Sequence, residues 1–157
     1  MVTKNITFNQ VKTLSDALHI RRIRNECRTF LTNNTNYISL LQQVWWFLTY
    51  YRSASKNGIY RMFIARNNEN RPVGYGAFHR VGKELLVTEC VSKRYRHQSY
   101  GQAILEELIK IAKREGCRLK AEIRDSNKIS IALHEKFKFK LYRTKTKSGV
   151  NLLIYRL

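Results

Sequence analysis

EIRDSNKISIALHEKFKF, residues 122–139, sets a carboxylate, Glu122, and a histidine, His134, on either side of Asn127. RLKAEIR, residues 118–124, reads as a short strand. After Asn127, a residue type suited to capping, Ile129, Ala132, Leu133 and Phe137 mark one face of a helix. KFKLYRT and VNLLIYRL then read as two closing strands. A strand handing its chain to a helix and then to a terminal strand pair is the unit on which the fold turns.

The chain upstream repeats the pattern. From Tyr100 to about Glu115, Ile104, Leu108 and Ile111 fall at i, i+4 and i+7, the period of an amphipathic helix, which Gly116 ends. ELLVTECV, residues 84–91, precedes it as an apolar, central strand. YRMFIAR and PVGYGAFHR form a hairpin around NNENR, with turn signals at Asn57-Gly58 and Val81-Gly82-Lys83. A strand over Ile6–Val11 and a helix over Ser15–Phe30 come first. A second helix follows Ser39, where Gln42 completes a capping box and Ile38 acts as a hydrophobic staple. The expected fold class is α+β (mixed α/β), built on one sheet.

At 157 residues and 43% hydrophobic, with no repeat, no low-complexity segment and one proline, the chain is expected to be one domain, 1–157. Thirty Lys and Arg against 11 Asp and Glu leave a net charge of +19, far more than solubility requires. The cations are spread along the chain, in RRIR, KRYR and KFKFKLYRTKTK, as a basic face rather than an arm. That favours a polyanionic partner, a nucleic acid or ribonucleoprotein, over a merely solvated surface. Cys27, Cys90 and Cys117 have neither metal nor redox spacing, and MVTKNITFNQ has no apolar signal core. No apolar run is long enough for a membrane span, so a reduced, cytoplasmic protein is expected. His19, His79 and His97 are not spaced as metal ligands.

VSKRYRHQSYGQA, residues 91–103, carries a strand end through a cationic turn into a helix start, where free N–H groups and the positive helix end converge on one spot suited to phosphate. Val91, four residues, Arg96, two residues, then Ser99-Tyr100-Gly101 resembles the acyl-CoA-binding signature V-x4-[QR]-x2-G-x-[GA] of the GNAT superfamily of N-acetyltransferases. Ser99 stands where the first glycine is usual; a second register uses Gln98, Gly101 and Ala103 but displaces Val91. EIRDSNKISIALHEKFKF resembles the later motif of that superfamily, nearest to its RimI type, with Asn127, Ser130, Leu133, Glu135, Lys136 and Phe139 in place. His134 replaces the usual Tyr, and Lys138 the usual Gly. The likeness covers residues 60–145.

The resemblance implies a mostly antiparallel, splayed sheet flanked by about four helices, and acetyl-CoA or another acyl-CoA as cofactor. It implies that main-chain groups of Arg96, His97, Gln98, Ser99, Tyr100, Gly101 and Gln102 hold the diphosphate, with Arg96 adding charge. Cys90 and Val91 would orient the thioester carbonyl, and Asn127 and Ser130 would join in cofactor binding. Should Ser99 need a positive φ, it is disfavoured by roughly a kcal/mol relative to Gly.

Amide formation from a thioester needs a neutral amine, so a base must take a proton. Glu122 at a strand end suits that task; the plainer reading pairs it with Arg124 or Lys120. The leaving thiolate is better expelled if a donor meets it. The resemblance puts His134 there, while the bland reading is a polar residue on an exposed helix flank. Tyr142 and Tyr155 are the substitutes. The aromatic group Trp45, Trp46, Phe47, Tyr50, Tyr51 reads as core and wall of an acceptor cleft rather than a base-stacking platform. An amine-bearing acceptor is implied. The function read from the chain is acyl-CoA-dependent N-acyl transfer to an amine on or beside a polyanion; the rivals are a nucleic-acid-binding relative that has lost transfer and a nucleobase-modifying one.

Overall fold

Alternation of side chains in the strands and a 3.6-residue stripe in the long helix set two apolar cores, one on each face of a sheet. The protein, seen as a computed structural model, is described over residues 4–157. Its elements are β1 (Thr7–Gln10), α1 (Leu14–Cys27), α2 (Leu40–Trp46), α3 (Arg52–Lys56), β2 (Tyr60–Arg66), β3 (Pro72–Val81), β4 (Glu84–Val91), α4 (Tyr100–Arg114), β5 (Arg118–Arg124), α5 (Lys128–Lys136), β6 (Lys140–Lys147) and β7 (Val150–Arg156). A five-residue π-turn, Phe47–Tyr51, joins α2 to α3 without a break, which makes four helical bodies of five segments.

The strands lie in the order β1-β2-β3-β4-β5-β7-β6. Every neighbouring pair is antiparallel except β4 and β5, which run parallel. The fold is therefore mixed α+β with a mostly antiparallel sheet. On one face, Phe63, Phe78, Leu85, Leu119 and Ile123 pack against Ile104, Leu105 and Leu108 of α4. On the other, Met62, Ile64, Tyr75 and Ala77 pack against Ile20 and Ile23 of α1 and Phe47 and Tyr51 of the π-turn. The odd and even positions of β2 divide between the two cores, as the two-residue period requires.

The two glycines of PVGYGAF are explained by α4. A Cβ on Gly74 would come within 2.5 Å of the Cys90 carbonyl oxygen, and one on Gly76 within 2.9 Å of Leu108 Cδ1. Only glycine lets the helix and the neighbouring strand approach this closely.

The parallel pair is short. β4 and β5 share a ladder only from Glu84 opposite Arg118 to Val87 opposite Ala121. β3 follows β4 to Val91, and β7 follows β5 to Arg124. Beyond Val87 and Ala121 the two strands part, and a wedge opens in the middle of the sheet.

Three expectations are corrected. The first helix ends at Cys27 and gives way to a 3-10 turn over Arg28–Phe30. The capping box at Ser39 and Gln42 is formed, but Ile38 does not staple the helix, because the position it would meet is Gln43, whose Nε2 donates to the Ala17 carbonyl at 3.1 Å. In α5 the face named from Ile129, Ala132, Leu133 and Phe137 is split: Leu133 and Phe137 pack against the α4-side core, while Ile129, at 71%, and Ala132 are exposed and His134 is buried at 1%. The reading of His134 as a polar residue on an exposed flank is thereby overturned.

Candidate active site

The wedge between β4 and β5 collects Cys90, Glu122, Asn127, Ser130 and His134 of the residues the sequence singled out, but none of residues 96–102. It is a small cavity of about 70 Å³ lined by Glu89, Cys90, Glu122, Asn127, Ser130 and His134 together with Leu31–Asn33 and the facing strand residues. Strand parity sends its carboxylates to opposite faces. In β5, Leu119, Ala121 and Ile123 belong to the α4-side core, so Glu122 projects to the α1 side. Arg124, two residues on, shares that face: its Nε donates to the Leu31 carbonyl at 2.9 Å, just past the end of α1. In β4, Val87 belongs to the α4-side core and Cys90 to the α1-side core, so Glu89 projects toward α5.

Glu122 is paired with neither Lys120 nor Arg124. Its Oε1 accepts from Lys145 Nζ at 2.8 Å, and its side chain is 9% exposed. On the opposite face Ser130 Oγ donates to Glu89 Oε1 at 3.4 Å. His134 Nδ1 lies 2.8 Å from the Ser130 carbonyl oxygen. A carbonyl only accepts, so Nδ1 carries the hydrogen and the neutral ring is bare at Nε2. That Nε2 is buried without a hydrogen-bond partner, 3.7 Å from Glu89 Oε2.

The loop entering α4 is drawn into strain. His97 and Ser99 have φ of 60° and 65°, the left-handed region that Ser adopts at roughly a kcal/mol. Ser99 provides no side-chain cap to α4, so the first-turn N–H groups of a 15-residue helix face the loop with no helix carbonyl to accept them. Arg96 does not add its charge there. Its Nη2 donates to the Glu26 carbonyl at 3.0 Å and to Cys27 Sγ at 3.4 Å, its Nε to the Val91 carbonyl at 3.3 Å, and its guanidinium sits over the Phe30 ring. Glu26, which sequence reasoning passed over, holds the same loop from the other side, accepting from Lys93 N at 2.7 Å and Ser92 Oγ at 2.9 Å.

The remaining candidates divide. Asn127 caps α5, its Oδ1 accepting from Ser130 N at 3.2 Å. Gly101 packs beside Val91 and Leu133. Tyr100 is a core ring, His97 and Gln98 are exposed, and Gln102 accepts from Lys136 Nζ at 2.8 Å. Cys90 lines the wedge, but the hydrogen bond it shares with Cys27, together with burial, pushes its thiol well above the ordinary value. It offers main chain rather than a nucleophile. Tyr142 is 57% exposed on β6 with the Arg156 guanidinium 3.7 Å from its ring centre, away from the wedge. Tyr155 donates to Glu135 Oε1 at 2.9 Å, and burial and that bond push its phenol up. Neither tyrosine lines the wedge.

A second cavity, of about 800 Å³, lies on the α1 side against α2 and the Leu31–Ile38 segment. Leu31, Thr32, Asn33, Leu86 and Thr88 line both cavities, so the large one adjoins the wedge. Among the described residues no cluster of His, Cys, Asp or Glu could hold a metal ion, and no helix is long and apolar enough to cross a membrane.

The sheet is thus parted at its parallel pair, with titratable side chains on both faces of the opening and the start of α4 beside the end of β4. Residues 19–139 match the Acetyltransferase (GNAT) family. An N-acetyltransferase from Staphylococcus aureus superposes at TM-score 0.80 with 24% identity over 98% of each chain. A ribosomal-protein-alanine N-acetyltransferase from Brucella melitensis gives 0.79 and 21% over 96% of this chain and 98% of that one. The Salmonella typhimurium protein yncA with its cofactor acetyl-CoA gives 0.77 and 20% over 98% and 94%. No curated protein matches the chain. The chain belongs to the GNAT acetyltransferase family, whose acyl donor is acetyl-CoA, and it is a transferase of that class.

Proposed function

We propose that the protein carries an acyl group directly from acyl-CoA to an acceptor amine, with Glu122 taking the amine's proton and His134 serving the leaving group from the opposite face. The opposed placement of Glu122 and His134 across the parted strands carries this reading. The large cavity opens on the α1 side, where Glu122 projects; His134 and Glu89 lie on the α4 side, where the uncapped helix start is.

When bound, acyl-CoA supplies an acyl group activated as a thioester. First-turn N–H groups of α4 and main chain from Arg96 to Gly101 would hold the diphosphate, since the Arg96 guanidinium is spent on α1. Main chain at Cys90 and Val91 would orient the carbonyl, and Asn127 and Ser130 would line the cofactor's path. With the ammonium's first proton lost to water, Glu122 accepts the proton that the nitrogen sheds as the amide forms and the C–S bond breaks, and Lys145 holds that carboxylate in place. His134 keeps its Nδ1 hydrogen on Ser130. A second proton at Nε2 would be balanced by Glu89 and is the one available for a departing thiolate. Tyr142 has no part in this scheme. The net charge of +19 supports an acceptor that carries negative charge or is carried on a polyanion such as a nucleic acid or ribonucleoprotein.

Thiol released from acetyl-CoA in proportion to added amine tests the reading. Tight acetyl-CoA binding without amine-dependent thiol release, for every amine class offered, would overturn it.

A further inference from the structure

The 800 Å³ cavity has a charge balance that selects among amines. Among the described residues no Asp or Glu lines it, while Arg21 and Arg24 do. A polyamine or a lysine-rich tail would bring additional positive charge against two guanidinium groups with no carboxylate to offset it.

The two arginines are not equivalent. Arg24 is committed to the loop, donating from Nη1 to the Asn36 carbonyl at 3.1 Å and from Nη2 to the Asn34 carbonyl. Arg21 gives Nη1 to Tyr37 Oη at 3.3 Å and the Ile38 carbonyl at 2.9 Å, and among the described residues no carboxylate on the cavity wall offsets its charge. A guanidinium on a wall without carboxylates is a place for an anionic oxygen.

The wall supplies the second feature. Tyr37, Trp45 and Tyr50 line the cavity and stand 58%, 69% and 44% exposed. Rings held in water at a cleft mouth are stabilised when an apolar body covers them. The size suits a small molecule rather than a polymer surface.

We infer that the acceptor is a small amino acid type amine: a primary amine next to its own carboxylate, on a large apolar or aromatic body. The inference rests on the acyl-transfer reading above. The carboxylate meets the Arg21 side of the cavity, the body lies against the rings, and the amine reaches the wedge through the shared residues Thr32, Asn33 and Thr88. The same guanidinium groups disfavour the protonated amine, which eases its loss of that first proton.

Matched pairs test this at saturating acetyl-CoA, with thiol release as the readout: phenylalanine against phenethylamine, tryptophan against tryptamine, and both sets against spermidine and a lysine-rich peptide. The carboxylate-bearing member of each pair is expected to give a kcat/KM about 10- to 100-fold higher. Arg21→Gln should raise KM for that member by a similar factor and leave its decarboxylated partner nearly unchanged. Asn25→Ala is the control for a merely loosened loop: Asn25 also holds Ile38, through its carbonyl at 2.9 Å and its N–H at 3.0 Å, so this variant should affect both members equally. Preference for spermidine, the peptide, the decarboxylated amines, or an amine presented only on a nucleic acid would overturn the inference and leave acyl transfer standing. Thiol release with no amine at all would overturn both.

Discussion

His134 Nε2 stands 3.7 Å from Glu89 Oε2 inside the sheet's wedge, while Glu122 leaves the same wedge on the other face in the grip of Lys145 at 2.8 Å. In the proposed reaction, proton acceptance and proton supply are divided between two sides of one opening, so each side can be disabled alone.

Glu122→Gln keeps the shape of the side chain and removes its ability to take a proton. Turnover is expected to fall by about 10²- to 10⁴-fold, with coenzyme A affinity changed by less than about twofold. Steady-state thiol release and calorimetry on the same sample check both halves. Unchanged turnover would remove Glu122 as the base.

His134→Phe fills the buried site and deletes both ring nitrogens. A loss of about 10-fold or more in kcat is expected, with acceptor KM nearly constant. Glu89→Gln should show a similar kcat loss, and the double variant should be little worse than either single one, because the two groups act as a unit. Additive losses would mean that Glu89 and His134 work separately.

Gly74→Ala tests the close approach behind the wedge. The added Cβ would lie 2.5 Å from the Cys90 carbonyl oxygen, so β3 or β4 must shift, and a loss of about 1–3 kcal/mol is expected in urea unfolding. Unaltered stability would show that β4 can move without penalty.

Arg61 donates to both carboxylate oxygens of Glu115, at 2.7 and 2.8 Å, and holds that carboxyl below its ordinary value. A depressed folded-state pKa contributes stability above the unfolded value and loses it as pH falls through the folded one. Glu115→Gln should therefore lower Tm slightly at neutral pH and should lose less Tm than the parent on acidification below about pH 4.5. Parallel acid profiles for the two proteins would contradict the pair's contribution.

Much of the fold was legible because local signals agreed with it. Asn57-Gly58 and Gly82 bound the strands, Ser39 and Gln42 start a helix, and the stripe through Ile104, Leu108 and Ile111 marks the element the sheet packs against. The site was legible in its C-terminal half, where Glu122, Asn127, Ser130 and His134 are close in sequence and fall in one wedge. Glu89 was missed although it is the charged residue near the end of an otherwise apolar strand, a signal that pattern reading absorbed into the strand. Arg96, whose charge the resemblance assigned to the diphosphate, is instead drawn inward by Val91 five residues before it and by Glu26 and Cys27, distant in sequence. The large cavity was visible on one side, where Trp45, Trp46 and Tyr50, read as the wall of a cleft, line it; its other wall was not. It depends on Arg21, Arg24 and Asn25 holding the carbonyls of a segment 10 to 17 residues away, and no periodicity encodes such contacts.

The central claim is that the opening between β4 and β5 receives acyl-CoA from the α4 side. Calorimetric titration of the protein with acetyl-CoA, repeated on Ser130→Trp to fill the wedge, measures it most directly. One site per chain with affinity lost by about 10-fold or more in the filled variant is the expected result. Absence of binding heat in the parent, or equal affinity in both proteins, would contradict it.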